Sequence, residues 1–259
     1  MTQERVSFSF GENWQRYLAH LGRERYAEAK RSLCDLIGSD SLEGKTFLDI
    51  GCGSGIFSLA AVELGAREVF SLDVDPKSVK ACRHLKETCN VPHWEIGEGS
   101  ILDEGTARPL GAFDVVYAWG VLHHTGAMWR AMDHAARRVR PGGLLVMAIY
   151  NRTGTSGLWL RFKRLYNSSG PLVKALLVGA ILVPRVAVRL LRLKHPLRER
   201  RGMSVYYDAR DWAGGLPYEY ASFQEVCSHM TPKGFILKKS RPTTSIGCNE
   251  FVFEKAAGT

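Results

Sequence analysis

The chain lacks the features that would mark it as secreted, metal-built or membrane-spanning. Its opening residues, Met1-Thr-Gln-Glu-Arg-Val-Ser7, form no apolar secretory stretch. Six cysteines are scattered at positions 34, 52, 82, 89, 227 and 248. They form no C-x-x-C pair and no Cys/His cluster of metal-ligand spacing, so neither a disulfide framework nor a structural metal is expected. A reducing, cytoplasmic setting is the corresponding expectation. There is no internal repeat and no low-complexity segment. Acidic residues are almost missing from one region. Between positions 152 and 201 twelve Lys/Arg face a single acid, Glu199. The longest uncharged run there, 175–184, has ten residues, about half of the roughly 20 that a spanning helix needs.

What is present is enough for a packed core. Of 259 residues 45% are apolar, which suits one large α/β domain or one domain with an added segment. The formal net charge of +9 sits entirely in the region named above: that segment carries +11, and the remainder sets 23 basic against 25 acidic residues.

Hydrophobic patterning and glycine or proline punctuation predict the order of elements. A helix is expected over 8–38, stopped by Gly38. Strands are expected at 46–50, 68–73, 94–96, 113–118 and 144–150. Helices are expected at about 55–64, 76–89 and 128–139. The last of these is followed by a Pro141-Gly142-Gly143 turn. The alternation breaks after 151. It resumes with a helix at 223–230 and strands at 235–240 and 251–254, which suit an antiparallel hairpin at a sheet edge. Alternating strands and helices imply a doubly wound parallel sheet.

The most informative stretch is Phe47-Leu-Asp-Ile-Gly-Cys-Gly-Ser-Gly-Ile-Phe57. It reads as a buried strand, a turn with glycines at 51, 53 and 55, and a helix start. Bare backbone lets a ligand approach, and helix-start N–H groups can meet an anion. The spacing departs from the dinucleotide pattern, which wants its third glycine where Ile56 stands. With Leu48-Asp49 ahead of it, the segment resembles motif I of the class I S-adenosylmethionine (SAM) dependent methyltransferases. Asp114-Val-Val-Tyr-Ala-Trp-Gly120 resembles that family's motif IV. Arg140-Pro-Gly-Gly-Leu-Leu145 resembles its turn before strand 5. Phe8-Ser-Phe-Gly-Glu-Asn-Trp14, Asp211-Trp-Ala-Gly-Gly-Leu-Pro-Tyr-Glu219 and Gly247-Cys-Asn-Glu-Phe-Val-Phe253 resemble blocks of bacterial proteins labelled as quinone-biosynthesis-type O-methyltransferases.

The resemblance implies a Rossmann-like seven-stranded sheet with an antiparallel last strand. A helical basic insertion would lie between strand 5 and the last helix. The corresponding organisation is a helical lid (1–45), a SAM-binding core (46–150), an insertion or cap (151–220) and a C-terminal helix and hairpin (221–259). It implies SAM as cofactor and S-adenosylhomocysteine as product. Ligands in such sheets lie beyond the C-terminal strand ends. The implied cofactor residues are Asp49, Gly51, Cys52, Gly53, Gly55, Asp73, Val74, Ser100, Ile101, Ala118 and Trp119. Asp73 ends strand 2, where a carboxylate can accept from both ribose hydroxyls. Asp75, beside Pro76, is expected to cap the next helix instead.

His123 and His124 follow strand 4 and are the candidate catalytic bases, with His124 slightly favoured. Orienting the loop is the other reading. Substrate contacts are expected from Trp14, Tyr17, Tyr150, Asn151, Tyr207 and Trp212. Core packing competes for Trp14 and Tyr17. For the cluster around Tyr207 and Trp212, covering the acceptor and packing the insertion onto the core are both open. For Asn249 and Glu250 in the terminal hairpin, a contribution to the site and the bonding of the loop are the two readings, the second favoured.

The basic segment has three readings: a cap with solvated arginines, a surface that rests on an anionic membrane (158–201), or a grip on phosphate. Nucleic acid is the less favoured partner, since no RNA-binding module pattern is present. Nothing in the sequence sets an oligomeric state. The expected activity is O-methylation of a small molecule with a phenolic, quinol-like, or lipid- or sugar-linked hydroxyl. An RNA methyltransferase and a SAM-binding protein without catalysis are the alternatives.

Overall fold

The computed structural model describes residues 23–107, 110–191 and 205–258. Helix α1 spans Arg23–Ile37 and ends at Gly38, whose φ of 71° takes the left-handed conformation that stops a helix. The core alternates strands and helices: β1 (Thr46–Ile50), α2 (Ile56–Glu63), β2 (Glu68–Asp73), α3 (Pro76–Cys89), β3 (Trp94–Glu98) and a short α4 (Glu104–Ala107). It continues with β4 (Phe113–Trp119), α5 (Met128–Arg137) and β5 (Val139–Tyr150). Three helices follow, α6 (Ser156–Ser168), α7 (Pro171–Leu191) and α8 (Val205–Gly214). The chain closes with α9 (Phe223–Met230), β6 (Phe235–Arg241) and β7 (Cys248–Lys255).

The sheet has seven strands in the order β3-β2-β1-β4-β5-β7-β6. The first five are parallel, and β7 runs antiparallel to both β5 and β6. This is the expected class. Several boundaries differ from expectation, most at β7, which starts at Cys248 rather than 251, and around β5. α5 stops at Arg137, and β5 begins at Val139, so Pro141-Gly142-Gly143 falls inside the strand. The pairing with β4 is irregular between Phe113 and Val115, which absorbs that detour. The short helix α4 was not expected.

Both sheet faces are buried. On one, Leu48, Ile50, Val116, Leu145 and Met147 pack against Met132 and Ala135 of α5 and Met230 of α9. On the other, Phe47, Val69, Val115 and Val146 pack against Leu33 and Leu36 of α1 and Leu59 of α2. A strand covered on both faces reads as a continuous apolar run, and all five residues of β1 are buried.

The insertion between β5 and α9 forms a smaller core on the C-terminal end of the sheet. Tyr166, Val178, Ala209 and Ala213 hold α6, α7 and α8 together. Tyr150, Trp212, Leu216 and Tyr218 join them to the end of β5. Among the described residues, no helix is long and apolar enough to cross a membrane.

The glycine at the start of α2 is fixed by space as well as by conformation. Gly55 has φ 79°, and a Cβ there would lie 2.6 Å from Cys82 Sγ and 2.9 Å from the Trp94 ring. Gly55→Ala should cost about 2–4 kcal/mol, combining left-handed strain with overpacking. Urea unfolding should report it as a lower midpoint at unchanged slope.

Candidate functional site at the C-terminal strand ends

The turn from β1 into α2 is tied to β2. The N–H groups of Gly51 and Cys52 both donate to the Leu72 carbonyl, at 2.7 and 3.2 Å. The Gly53 N–H donates to Asp73 Oδ2 at 2.9 Å, and the Asp75 N–H to Asp73 Oδ1 at 2.9 Å. The Gly55 N–H donates to the Cys52 carbonyl. These four turn donors are therefore engaged inside the protein. Here the glycines serve close approach and left-handed φ rather than direct N–H donation at those positions.

Asp73 stands at the strand end with its carboxylate against the turn, nearly buried. Burial raises its pKa to about 6, against the lowering effect of its backbone hydrogen bonds. Asp75 caps α3 as expected, accepting from the Lys77 N–H at 2.9 Å. Asp49 is buried and accepts from Ser58 Oγ at 2.6 Å. Ser58 meets Ser71, which accepts from Trp94 Nε1 at 2.7 Å. This polar chain under the turn was not legible in sequence, because its members lie on four separate elements.

The Cys52 thiol turns into the core against Cys82. That contact, with burial, raises its pKa well above the ordinary thiol value, so Cys52 offers the site its backbone. Val74 is half-exposed just past β2. Ser100 accepts from the Leu102 N–H at 3.1 Å, and Ile101 is buried, its carbonyl bonded to His134 Nδ1 at 2.9 Å. Ala118 is fully buried at the end of β4. Trp119 donates to Glu250 of β7 at 3.2 Å.

Beyond β4 a short turn, Leu122–His124, buries both histidines. Their rings lie 4.4 Å apart, and Tyr150 of β5 sits 4.1 Å from His123 and 5.4 Å from His124. His124 Nδ1 is 2.6 Å from the Pro217 carbonyl. A carbonyl only accepts, so Nδ1 carries the proton and Nε2 is the basic nitrogen. His123 bonds to the Ala148 backbone, and its Nδ1 is buried with no partner among the described residues. Burial, the second histidine and the Lys163 cation hold His123 well below the ordinary imidazole range. Burial and Lys163 bring His124 down to about 3. Both imidazoles are neutral at neutral pH.

Lys163, on α6, belongs by position to the basic segment but is fully buried. Its Nζ donates to the Trp212 carbonyl and lies 4.7 to 5.5 Å from the ring centroids of Trp212, Tyr218 and Tyr150. One signal could have found it. Trp159, Phe162, Lys163 and Tyr166 follow an i, i+3, i+4, i+7 pattern, which puts the lysine on the packed face.

The strip after α8 stitches the insertion to the histidine turn. Glu219 N donates to the His123 carbonyl at 3.0 Å, and both Glu219 oxygens accept from Met128 N at the start of α5. Trp212 packs edge-on against Trp159, with centroids 4.5 Å apart, tying α8 to α6 within the insertion, and it shares a cluster with Tyr150 at the end of β5. Asn151 is engaged elsewhere: its Nδ2 donates to the Thr243 and Ser245 carbonyls and its Oδ1 accepts from Asn249. It holds the β6–β7 loop, together with Asn249. Tyr207 lies on α8, but its side chain is outside the described residues, as are Trp14 and Tyr17.

The residues present fit SAM on two observations. Asp73 keeps acceptor capacity at the strand end, and Ser54 Oγ, inside the glycine turn, is buried with no partner among the described residues.

Comparison with known proteins agrees. Residues 48–145 match the family described as "Methyltransferase domain". A ubiquinone biosynthesis O-methyltransferase of Methylobacterium sp. (strain 4-46) is 35% identical over 119 residues, 46% of each chain. A ribosomal protein L11 methyltransferase of Ralstonia pickettii is 38% identical over 105 residues, 40% of this chain and 32% of the relative. The chain thus spans less than half the length of these relatives. In fold it is similar to the magnesium protoporphyrin IX methyltransferase of Synechocystis PCC 6803, solved with bound S-adenosylhomocysteine. The TM-score is 0.56 at 14% identity, over 89% of this chain and 83% of that one.

The buried histidines make stability depend on pH in a definite sense. Each has a folded pKa below its unfolded value, so the unfolded chain binds more protons below about pH 6.5, for His124 down to about pH 3. Stability should fall as pH drops through that window. Asp73, raised, works the opposite way below about pH 6, so Asp73→Asn should steepen the loss. Lys163→Met removes a cation facing both rings and should shift their imidazole NMR titrations upward.

Proposed function

We propose, on the premise that residues 48–145 belong to the class I SAM-dependent methyltransferase family, that this chain methylates the hydroxyl of a small molecule. When bound, SAM supplies a methyl group on a sulfonium, open to in-line attack by a nucleophile. What the chain contributes is binding, alignment and exclusion of water. Proximity of reacting atoms at about 3–3.5 Å accounts for much of the acceleration in such a step.

The observation that carries the reading is the roof over the ends of β4 and β5. The helical insertion places Tyr218, Trp212 and Lys163 beside Tyr150 and the two histidines. A covered, aromatic-lined end suits a small planar acceptor better than a polynucleotide.

In this reading Asp49, Asp73 and the turn at Gly51, Cys52, Gly53 and Gly55 hold the cofactor. Asp73 receives the ribose hydroxyls. Val74, Ser100, Ile101, Ala118 and Trp119 line the path of the adenine and methionine ends. His123, whose buried Nδ1 has no partner among the described residues, and His124 beside it are the candidates to orient the attacking hydroxyl. Both rings hold a proton poorly, since burial depresses them, and a general base works best with a pKa near the working pH. In this reading the acceptor hydroxyl is acidic in its own right. A phenol or quinol, with a pKa of about 10 as in tyrosine, fits. An alkyl or sugar hydroxyl fits less well. The ubiquinone-pathway relative points the same way.

Asp73→Ala should weaken SAM binding by about 10- to 100-fold, the loss expected for charge-assisted hydrogen bonds. Isothermal titration would check it, and unchanged affinity would sink the assignment. For the unsubstituted protein, affinity should hold at neutral pH and decline below about pH 6 as Asp73 takes up a proton. Transfer itself is tested with methyl-labelled SAM and a cell extract. Label is expected in organic-extractable small molecules. Label in RNA would instead support a polynucleotide acceptor, and in protein a protein acceptor. Bound SAM without transfer to any fraction would count against catalysis.

A further inference from the structure

The helix α7 buries one face and leaves the opposite one without charge. Leu177, Val178, Ile181 and Leu182 pack inward against Tyr166, Ala209 and Ala213. Leu172, Leu176 and Val183 point outward, 75%, 66% and 69% exposed. They stand at i, i+4 and i+11, on one stripe. Val173, Ala175, Ala180 and Ala187 are exposed as well. From 171 to 187 the only charged residues are Lys174 and Arg185. A helix that faces water ordinarily carries its charges on the outer face. Leu158 and Leu165 of α6 add two more exposed side chains, seven apart. Exposed apolar side chains in such number mark a contact site.

Charge complementarity selects the occupant. No acidic residue occurs between positions 151 and 198. Arg161 and Arg164 of α6 are exposed. A second copy would bring a segment of charge +11 against its equal. A polynucleotide would meet the arginines but gain nothing from the leucines. A bilayer with anionic headgroups satisfies both: apolar side chains enter the acyl boundary while lysine and arginine ends stay at headgroup level.

We propose that the outer face of α7, with Leu158 and Leu165 of α6, docks this protein on an anionic lipid bilayer. The helix lies in the membrane plane. Its inner face stays packed on the roof of the acceptor end. The protein then works at the surface where amphiphilic acceptors reside. The docking does not depend on the substrate assigned above, and its test reads binding without turnover.

The full chain is mixed with vesicles of phosphatidylcholine, with or without phosphatidylglycerol, and sedimented at low and high salt. The expected result is partition onto the anionic vesicles, weakened by salt and by removal of phosphatidylglycerol. L172E/L176E should lower that partition about tenfold or more, with SAM affinity unchanged as the check on folding. If that variant loses SAM binding, the milder L172S/L176S takes its place. Wild-type protein that binds SAM but ignores anionic vesicles would overturn the inference, as it would if this chain's own residues covered the face. Equal partition of variant and wild type would overturn it too. A dimer in analytical ultracentrifugation that L172E/L176E dissolves would assign the face to a second copy instead.

Discussion

The site depends on how β2 holds the turn leaving β1. One carbonyl, Leu72 O, accepts from two consecutive N–H groups, and the next residue, Asp73, accepts from the third donor of the turn. These bonds bring the glycine turn against the end of the neighbouring strand. They also set the Asp73 carboxylate where it can face the turn and still accept from a ligand. Space does the rest. Cys82 and Trp94 close in on Gly55, and Val121, in the loop after β4, closes in on Gly51. The turn is thus fixed from the strand side, the helix side and the acceptor side at once. Few side chains could be enlarged there without moving the turn.

The acceptor end is governed by the insertion. The 217–219 strip supplies a carbonyl to His124, an N–H to the His123 carbonyl and a carboxylate to the start of α5. Burial of both imidazoles follows from this cover, and burial in turn keeps them neutral. A buried lysine among three aromatic rings adds a cation nearby, which acts in the same direction. The arrangement favours orientation of an acceptor over storage of its proton. In the proposed function, that distinction is what favours an acidic hydroxyl as acceptor.

The insertion has two apolar sides with different physical consequences. Its inner side makes a small core that an isolated helix could not supply, because short helices gain most of their stability from packing. Its outer side is left over from that economy and is matched by a sequence almost free of acids. Lys163 shows how position overrides composition. It belongs to the basic segment by sequence, yet it is the one described cation of that segment that is fully buried, where it acts on the histidines rather than on a surface partner.

Much of the fold was legible in residue order. Alternating apolar runs, the spacing of Gly51, Gly53 and Gly55, Pro76 behind Asp75 and Gly38 behind α1 are local signals with local causes, so the strands, the cap and the turn could be placed. The start of β5 could not, because its Pro-Gly-Gly detour is paired only through a distant strand. The glycine turn was legible as a motif, but the use of its donors was not: the pairing of Gly51 and Cys52 with Leu72 exists only once β2 lies beside β1. The partners of Asn151, the polar chain from Asp49 to Trp94 and the neutrality of His123 and His124 were likewise decided by tertiary structure. Hydrogen-bond partners and desolvation depend on what approaches across the fold, and sequence neighbours do not carry that information. By itself the sequence determined the order of elements and the chemistry available at each strand end. The tertiary structure decided which of those groups meet, which are buried, and which remain turned outward.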